Sequence, residues 1–265
     1  MNSQYSNKYK ILCVLHELRI VSKKQLFELF NIDGRLSYDK LHNHLKDLEG
    51  TEDESTKLIS SITDRTKQGN PKYYYLTKNG HNSIGGYYTL PKVPEYNLQH
   101  HLQINDYLIT MLKLCENHPN LSAVISERRQ VYETKDGTRN TKGKKYFVAD
   151  FIFRFRDNEK ADINWSFEIE LTMKTKRRYR DSIFPKYIRE LKRRNEARLI
   201  YVTPSLTIED ELSKFKEYFL ATEGAEYEEV FERLHIFSAD EFTCEMEKLI
   251  ENDPFINWEE KKEEK

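Results

Sequence analysis

SKKQLFELFNIDGRLSYDKLHNHLKDLEG, residues 22–50, reads as two helices joined by a turn. Ser22 stands three residues before Gln25 and just ahead of Leu26, Phe27, Leu29 and Phe30. A hydroxyl and an amide at that spacing reciprocally satisfy the free N–H groups at a helix start. Asn31-Ile32-Asp33-Gly34 supplies a turn, with Gly34 able to take positive φ. A further helix is expected over 36–49, with Leu41, Leu45 and Leu48 on one face. Lys40, Asn43 and Asp47 fall on the opposite face, and His44 and Lys46 on its flanks.

Working outward, Tyr9, Leu12, Leu15, His16 and Leu18 give a preceding helix over 8–19. Residues 57–63 and 72–77 are rich in Ile, Tyr and Thr and read as strands. The turn between them, Lys67-Gln68-Gly69-Asn70-Pro71, makes a hairpin with a basic tip. Thr77 is placed to cap a short helix over 78–84. Helix, helix, turn, helix, hairpin is the order of a winged helix-turn-helix. In such a domain a helix enters the major groove, where Asn reads adenine and Lys approaches guanine or phosphate. The candidate DNA contacts are Ser37, Lys40, Asn43, His44 and Lys46 on the helix, with Arg65, Lys67 and Lys72 on the hairpin. The competing readings are a solvated three-helix bundle and a winged helix that binds protein.

Hydrophobic residues make up 38% and charged residues 33% of the 265, a balance that suits a globular protein of one large or two modest domains. No run approaches the roughly 18–20 apolar residues of a membrane span, and MNSQYSNKYK lacks the apolar core of a signal peptide. A cytoplasmic protein without membrane contact is expected. Cys13, Cys115 and Cys244 form no CxxC pair, so buried free thiols are expected rather than disulfides or zinc. The net charge of −1 hides a partition. Residues 1–96 carry 14 Lys and Arg against 11 Asp and Glu, residues 172–198 carry 11 against 3, and residues 207–265 carry 7 against 19. Basic segments of this kind point to a polyanionic partner.

Residues 85–96, rich in Gly, Tyr and Pro, read as a linker. Beyond it the expected order is a helix (97–116), three strands (122–133, 146–155, 163–171), a long basic helix (172–194) and a strand (197–203). A helix (207–221), a strand (232–238) and a helix (239–251) complete it. That order matches the core of the PD-(D/E)xK nuclease-like fold. Because side chains alternate along strands, Asp150, Glu168 and Glu170 are expected to converge on one face. Hard oxygen ligands suit Mg²⁺, which would activate water for phosphodiester cleavage. The nuclease pattern wants Lys two residues after Glu168, where this chain has Glu170; Lys174 or Lys176 is the candidate replacement. Lys176, Arg177, Arg178 and Arg180 lead the basic stripe, which would neutralise phosphate or pair with the acidic tail.

Three motifs together resemble the replication-relaxation family of plasmid and mobile-element proteins: YYYLTKNG (73–80), NLQHHLQINDYL (97–108) with His101 and Asn105, and the pair VADFIF (148–153) and FEIELT (167–172). The resemblance implies a DNA-binding role in plasmid replication, mobilisation or DNA relaxation, beside a relaxase or replication initiator. The resulting expectation is an α+β protein with a winged helix-turn-helix over 1–88, a linker over 89–96, a nuclease-like α/β domain over 97–253 and a charged tail over 254–265. Its expected function is sequence-specific binding of double-stranded DNA, as a possible homodimer and without a required cofactor. The alternatives are a Mg²⁺-dependent endonuclease or nickase using Asp150, Glu168, Glu170 and Lys174, and a transcriptional regulator.

Overall fold

The computed structural model describes residues 5–32, 36–50, 56–90, 92–93, 97–134 and 147–258. It is an α+β protein with two sheets, divided into one unit over 1–116 and another over 117–265.

In the first unit, α1 (Asn7–Leu18) is capped by Ser6, β1 (Ile20–Ser22) follows, and α2 (Lys23–Asn31) carries the capping box. Ser22 N–H donates to Gln25 Oε1 at 3.0 Å and Gln25 N–H to Ser22 Oγ at 3.1 Å. The expected turn at Gly34 lies outside the described residues. α3 (Tyr38–Glu49) is capped by Ser37 and buries Leu41, Leu45 and Leu48. β2 (Ile59–Thr63) and β3 (Lys72–Leu76) form the expected hairpin, with Gly69 and Asn70 both at positive φ in its loop. β1 is not legible as a strand in the sequence. It pairs antiparallel with β3, so the sheet has three strands in the order β1-β3-β2.

The sheet explains where this unit ends. One face (Val21, Ile59, Tyr74, Leu76) packs on α1, α2 and α3. The other (Ile20, Tyr73, with Ile62 and Tyr75) is apolar too and is covered by Leu98 and Leu102 of α5 (Leu98–Leu114). Asn105, 2% exposed, donates to Ile20 O at 2.8 Å, and Gln25 Nε2 donates to Leu102 O at 2.8 Å and Asp106 Oδ1 at 2.6 Å. The helix expected to open the second domain at residue 97 therefore belongs to the first, and the boundary moves to about residue 116. The described part of the expected linker is also packed. Tyr88 stacks on His16 at 4.6 Å and donates its hydroxyl to Glu17 at 3.1 Å.

The second unit is built on a five-stranded sheet in the order β4-β5-β6-β7-β8. β4 (Leu121–Ser126), β5 (Phe151–Arg156) and β6 (Asp162–Ile169) run antiparallel; β7 (Arg198–Thr203) and β8 (Leu234–Ser238) join in parallel. The strand expected over 122–133 breaks after Ser126, and Glu127–Thr134 is the helix α6. Buried Gln130 stops it continuing as strand: its side chain donates to Ala149 O at 3.0 Å and accepts from Ala149 N at 3.0 Å, taking the place of a ladder. The expected start of the next strand at Tyr146 lies outside the described residues.

The long helix expected over 172–194 is three pieces: α7 (Lys176–Arg178), a π-helical turn (Tyr179–Ile183) and α8 (Phe184–Leu191). Pro185 has no N–H to continue the ladder, and the Phe184 N–H reaches back five residues to Tyr179 O. α9 (Leu206–Glu223), the short α10 (Glu228–Phe231) and α11 (Phe242–Asn252) complete the unit, with Phe242 against Phe167 on the face opposite α8 and α9. Of the expected tail, residues from 259 onward lie outside the described residues. Cys115 is buried, Cys13 half-buried and Cys244 exposed, so the expectation of three buried thiols fails for the last. No helix among the described residues is long and apolar enough to cross a membrane.

Gly80, in α4 (Lys78–Ser83), marks a close backbone approach: a Cβ there would overlap the Leu58 carbonyl oxygen, which accepts from Thr77 N. Gly80→Ala is therefore expected to destabilise the first unit by about 1–3 kcal/mol, as overpacking does. Urea unfolding checks this, and an unchanged midpoint would remove the close approach as a constraint.

Candidate functional site

The chemistry-bearing residues of the first unit gather on α3. Buried Leu41, Leu45 and Leu48 leave Ser37, Tyr38, Lys40, His42, Asn43 and Lys46 exposed along the outer side, with His44 half-buried at its edge. Ser37 serves its own helix, its Oγ accepting from Lys40 N at 3.3 Å. Lys40 and Asn43 have no side-chain hydrogen bond or ion pair to the described residues. Tyr38, 47% exposed, carries no signal in the sequence pattern, although the Lys23 ammonium lies 3.7 Å from its ring centroid.

The hairpin cations divide. Arg65 is exposed, whereas Lys67 Nζ donates to Gln99 Oε1 at 2.7 Å. Lys72 pairs with Glu49 at 3.6 Å, and Glu49 also accepts from Ser61 Oγ at 2.5 Å. His101 and Asn105, which share a helix face, are packing residues of the first unit. Asn105 ties α5 to β1, and burial holds the His101 imidazole down at about 4.

In the second unit Asp150 sits just before β5, not inside it. Its backbone N–H donates to Phe167 O at 2.9 Å and its Oδ2 accepts from Ile169 N at 2.7 Å. Glu168, near the end of β6, faces α8, where the Lys186 ammonium stands 3.8 Å from Oε1. That distance makes an ion pair but is too long for a hydrogen bond, so this oxygen is buried without one. Burial pushes the Asp150 carboxyl up to about 7, with Glu127 and Glu170 adding to the rise, and that of Glu168 up to about 8, with Asp150 and Glu170 adding to it.

Glu170 lies past the end of β6. It pairs with Lys174 at 2.8 Å and accepts from the Tyr201 hydroxyl at 3.2 Å. Lys174 thus stands where the sequence suggested, but beside Glu170. Lys176 turns to the Phe215 ring, 4.5 Å from its centroid. The lysine facing Glu168 is Lys186, whose only sequence signal is its position one residue after Pro185 in the basic stripe. Among the described residues no three His, Cys, Asp or Glu side chains gather closely enough to hold a metal ion. Glu170, although paired with Lys174 and bonded to Tyr201, still raises both Asp150 and Glu168, so the three carboxylates share one electrostatic neighbourhood. Burial shifts both carboxyls toward neutrality beside a lysine, a range that suits proton exchange.

The basic stripe is also divided. Arg177 and Arg180 share Asp181 at 3.3 and 2.7 Å, and Arg180 lies 3.7 Å from Glu223. Arg178 is exposed and has no ion pair among the described residues. Ser182, Lys186, Arg189 and Arg193 line a cavity of about 560 Å³, and their spacing repeats along one helical side.

Carboxyls raised by burial favour the folded state when protonated, so their contribution is full below about pH 4 and is lost as pH rises through 7–8. The double variant Asp150→Asn, Glu168→Gln is expected to match the wild type near pH 4 and to exceed its stability by about 2–4 kcal/mol at pH 8.5. Urea titrations across that range check this; parallel curves would mean that both carboxyls ionise freely. No protein-family model, curated protein or solved structure matches this chain significantly.

Proposed function

We propose that the chain is a sequence-specific double-stranded-DNA-binding protein whose first unit acts as a winged helix-turn-helix. The observation that carries this is the outer face of α3: Lys40 and Asn43 stand exposed and unengaged above a buried leucine face. Such a helix fits the major groove, and these side-chain types read base edges there. The element order, with a strand between α1 and α2 completing the hairpin sheet, supports the same reading. So does exposed Arg65 on the hairpin, placed to meet phosphate. The resemblance to replication-relaxation proteins favours a role in plasmid or mobile-element replication, mobilisation or DNA relaxation, with a relaxase or initiator as partner.

The second unit adds sequence-independent contact through the α8 side, where Arg189 is exposed without an ion pair among the described residues and Arg193 is held by Glu190 at 2.9 Å in an exposed pair that phosphate can displace. The mixed five-stranded sheet supports a nuclease-like scaffold. A catalytic reading is favoured by one observation, the Asp150–Glu168 pair facing Lys186. Incubating supercoiled plasmid with the protein and Mg²⁺ or Mn²⁺ separates the two readings. Cleavage abolished by Asp150→Ala and Glu168→Ala would make the chain a nuclease.

Selection from a random duplex library is expected to yield a defined site. Lys40→Ala or Asn43→Ala is expected to weaken binding to it by about 1–3 kcal/mol in anisotropy titrations. No enriched sequence, or variants that bind as well as wild type, would remove α3 as the reader. Removing Arg189 and Arg193 together is expected to lower the slope of log K against log salt by about 1–2, Arg189 counting for one phosphate and Arg193, paired with Glu190 at 2.9 Å, for less. Removing Arg177 and Arg180, already held by Asp181, is expected to lower it less. Equal slopes in all three proteins would exclude the α8 side as a phosphate track.

A further inference from the structure

A second cavity of the second unit, about 730 Å³, lies between the basic turn and α9 and is distinct from the Asp150–Glu168 cluster. That volume falls in the range of small-ligand sites, roughly 300–1,000 Å³. Its floor is aromatic. Tyr179, Phe184 and Phe219 are almost fully buried, with Phe184 5.7 Å from Tyr179 and 5.4 Å from Phe219 between ring centroids. Phe215 and Tyr218 stand along the α9 wall, and Tyr218 is 66% exposed.

The rim is basic: Lys176, Arg177, Arg180 and Lys214 line it, with Glu211 as the lining carboxylate. Asp181 holds Arg177 and Arg180, Glu223 lies 3.7 Å from Arg180, and Asp210 holds Lys214 at 2.6 Å. These pairs are solvent-exposed, so each contributes little and yields readily to a stronger anion. Lys176 has no carboxylate within ion-pair distance among the described residues. Its ammonium rests 4.5 Å over Phe215, a cation placed where a ligand's ring and its charge meet.

We propose that this cavity binds an unpaired nucleobase of single-stranded DNA, stacked on the exposed ring of Tyr218 with its edge toward Phe215, and with the adjoining phosphate at Lys176 and Arg177. An aromatic wall matches the π-face of any base, and a cationic rim matches the backbone that must accompany it. A paired base hides both faces in the helical stack, so the occupant is single-stranded. The π-helical turn helps shape the cavity. Its extra residue lets Tyr179 and Phe184 both point into the floor while Lys176, Arg177 and Arg180 reach the rim. The site extends the DNA reading but uses none of the residues of α3 or the hairpin.

The test is anisotropy of fluorescein-labelled oligo(dT) of 15 nucleotides with the full chain. Wild type is expected to bind, Tyr218→Ala to weaken binding about tenfold, and Tyr218→Phe to restore it, because stacking needs the ring and not the hydroxyl. Lys176→Ala is expected to weaken binding and flatten its salt dependence. The exposure of Tyr218 keeps these changes out of the core, and thermal melting verifies the fold. Binding of the selected duplex site is expected to be unchanged in Tyr218→Ala and Tyr218→Phe. Oligo(dT) binding that ignores Tyr218→Ala overturns the proposal, as does no oligo(dT) binding. Competition by an acidic peptide of equal charge, as effective as unlabelled oligo(dT), would make the rim a general anion surface and also overturn it. Loss of the duplex site alone, with oligo(dT) binding intact, would sink the α3 reading and leave this one standing.

Discussion

The antiparallel register of β5 on β6 governs the second unit. Phe151 lies opposite Phe167 and stacks on it at 4.5 Å; Phe153 meets Trp165 and Phe155 meets Ile163 on the same face. A shift of β6 by one residue would turn Trp165 and Phe167 outward and put Ser166 and Glu168 in their place. The same register brings Asp150 to the Phe167–Ile169 backbone, where the Ile169 N–H meets its carboxylate. The hydrophobic side of the sheet thus fixes the position of the polar groups on the other side. The raised carboxyls stem from that enclosure, since α8 with its Tyr187 covers the face that would otherwise be wet.

Much of this is legible from local pattern. The capping box at Ser22, the leucine spacing of α3, the hairpin around Gly69 and the alternation of β6 all announce themselves within a few residues. The features that escape depend on partners distant in sequence. Ile20–Ser22 is too short to declare itself a strand and becomes one only by pairing with Tyr73–Tyr75. Chain adjacency alone assigns the 97–116 helix to the second domain, yet its apolar side is needed by the back of the first sheet. In the candidate site Glu168 is readable from strand alternation, whereas Asp150 and Glu170 stand just outside β5 and β6. The lysine opposite Glu168 is not readable, because Lys186 is one of eleven cations in 172–198 and only the π-helical turn decides which faces it.

Charge counting does not show how the basic stripe is paired. Net excess suggests Arg177, Arg178 and Arg180 as the dominant cations. Two of them are engaged by Asp181, the first acidic residue in an otherwise basic segment. Local pairing, not total charge, decides which cations remain available. The acidic character of α9 has the same effect on Lys214 and Arg180.

Glu49 draws these themes together at small scale. Its carboxylate, on the last residue of α3, accepts from Ser61 and pairs with Lys72 at the two strands of the hairpin. Helix and hairpin are therefore leashed by a side chain as well as by shared core. A ligand that touches both meets a surface whose parts are already registered to each other. The ordering entropy that a loose hairpin would surrender on contact has been spent in folding. Affinity can then be tuned by exposed residues such as Lys40 and Arg65 without first having to hold the two elements still.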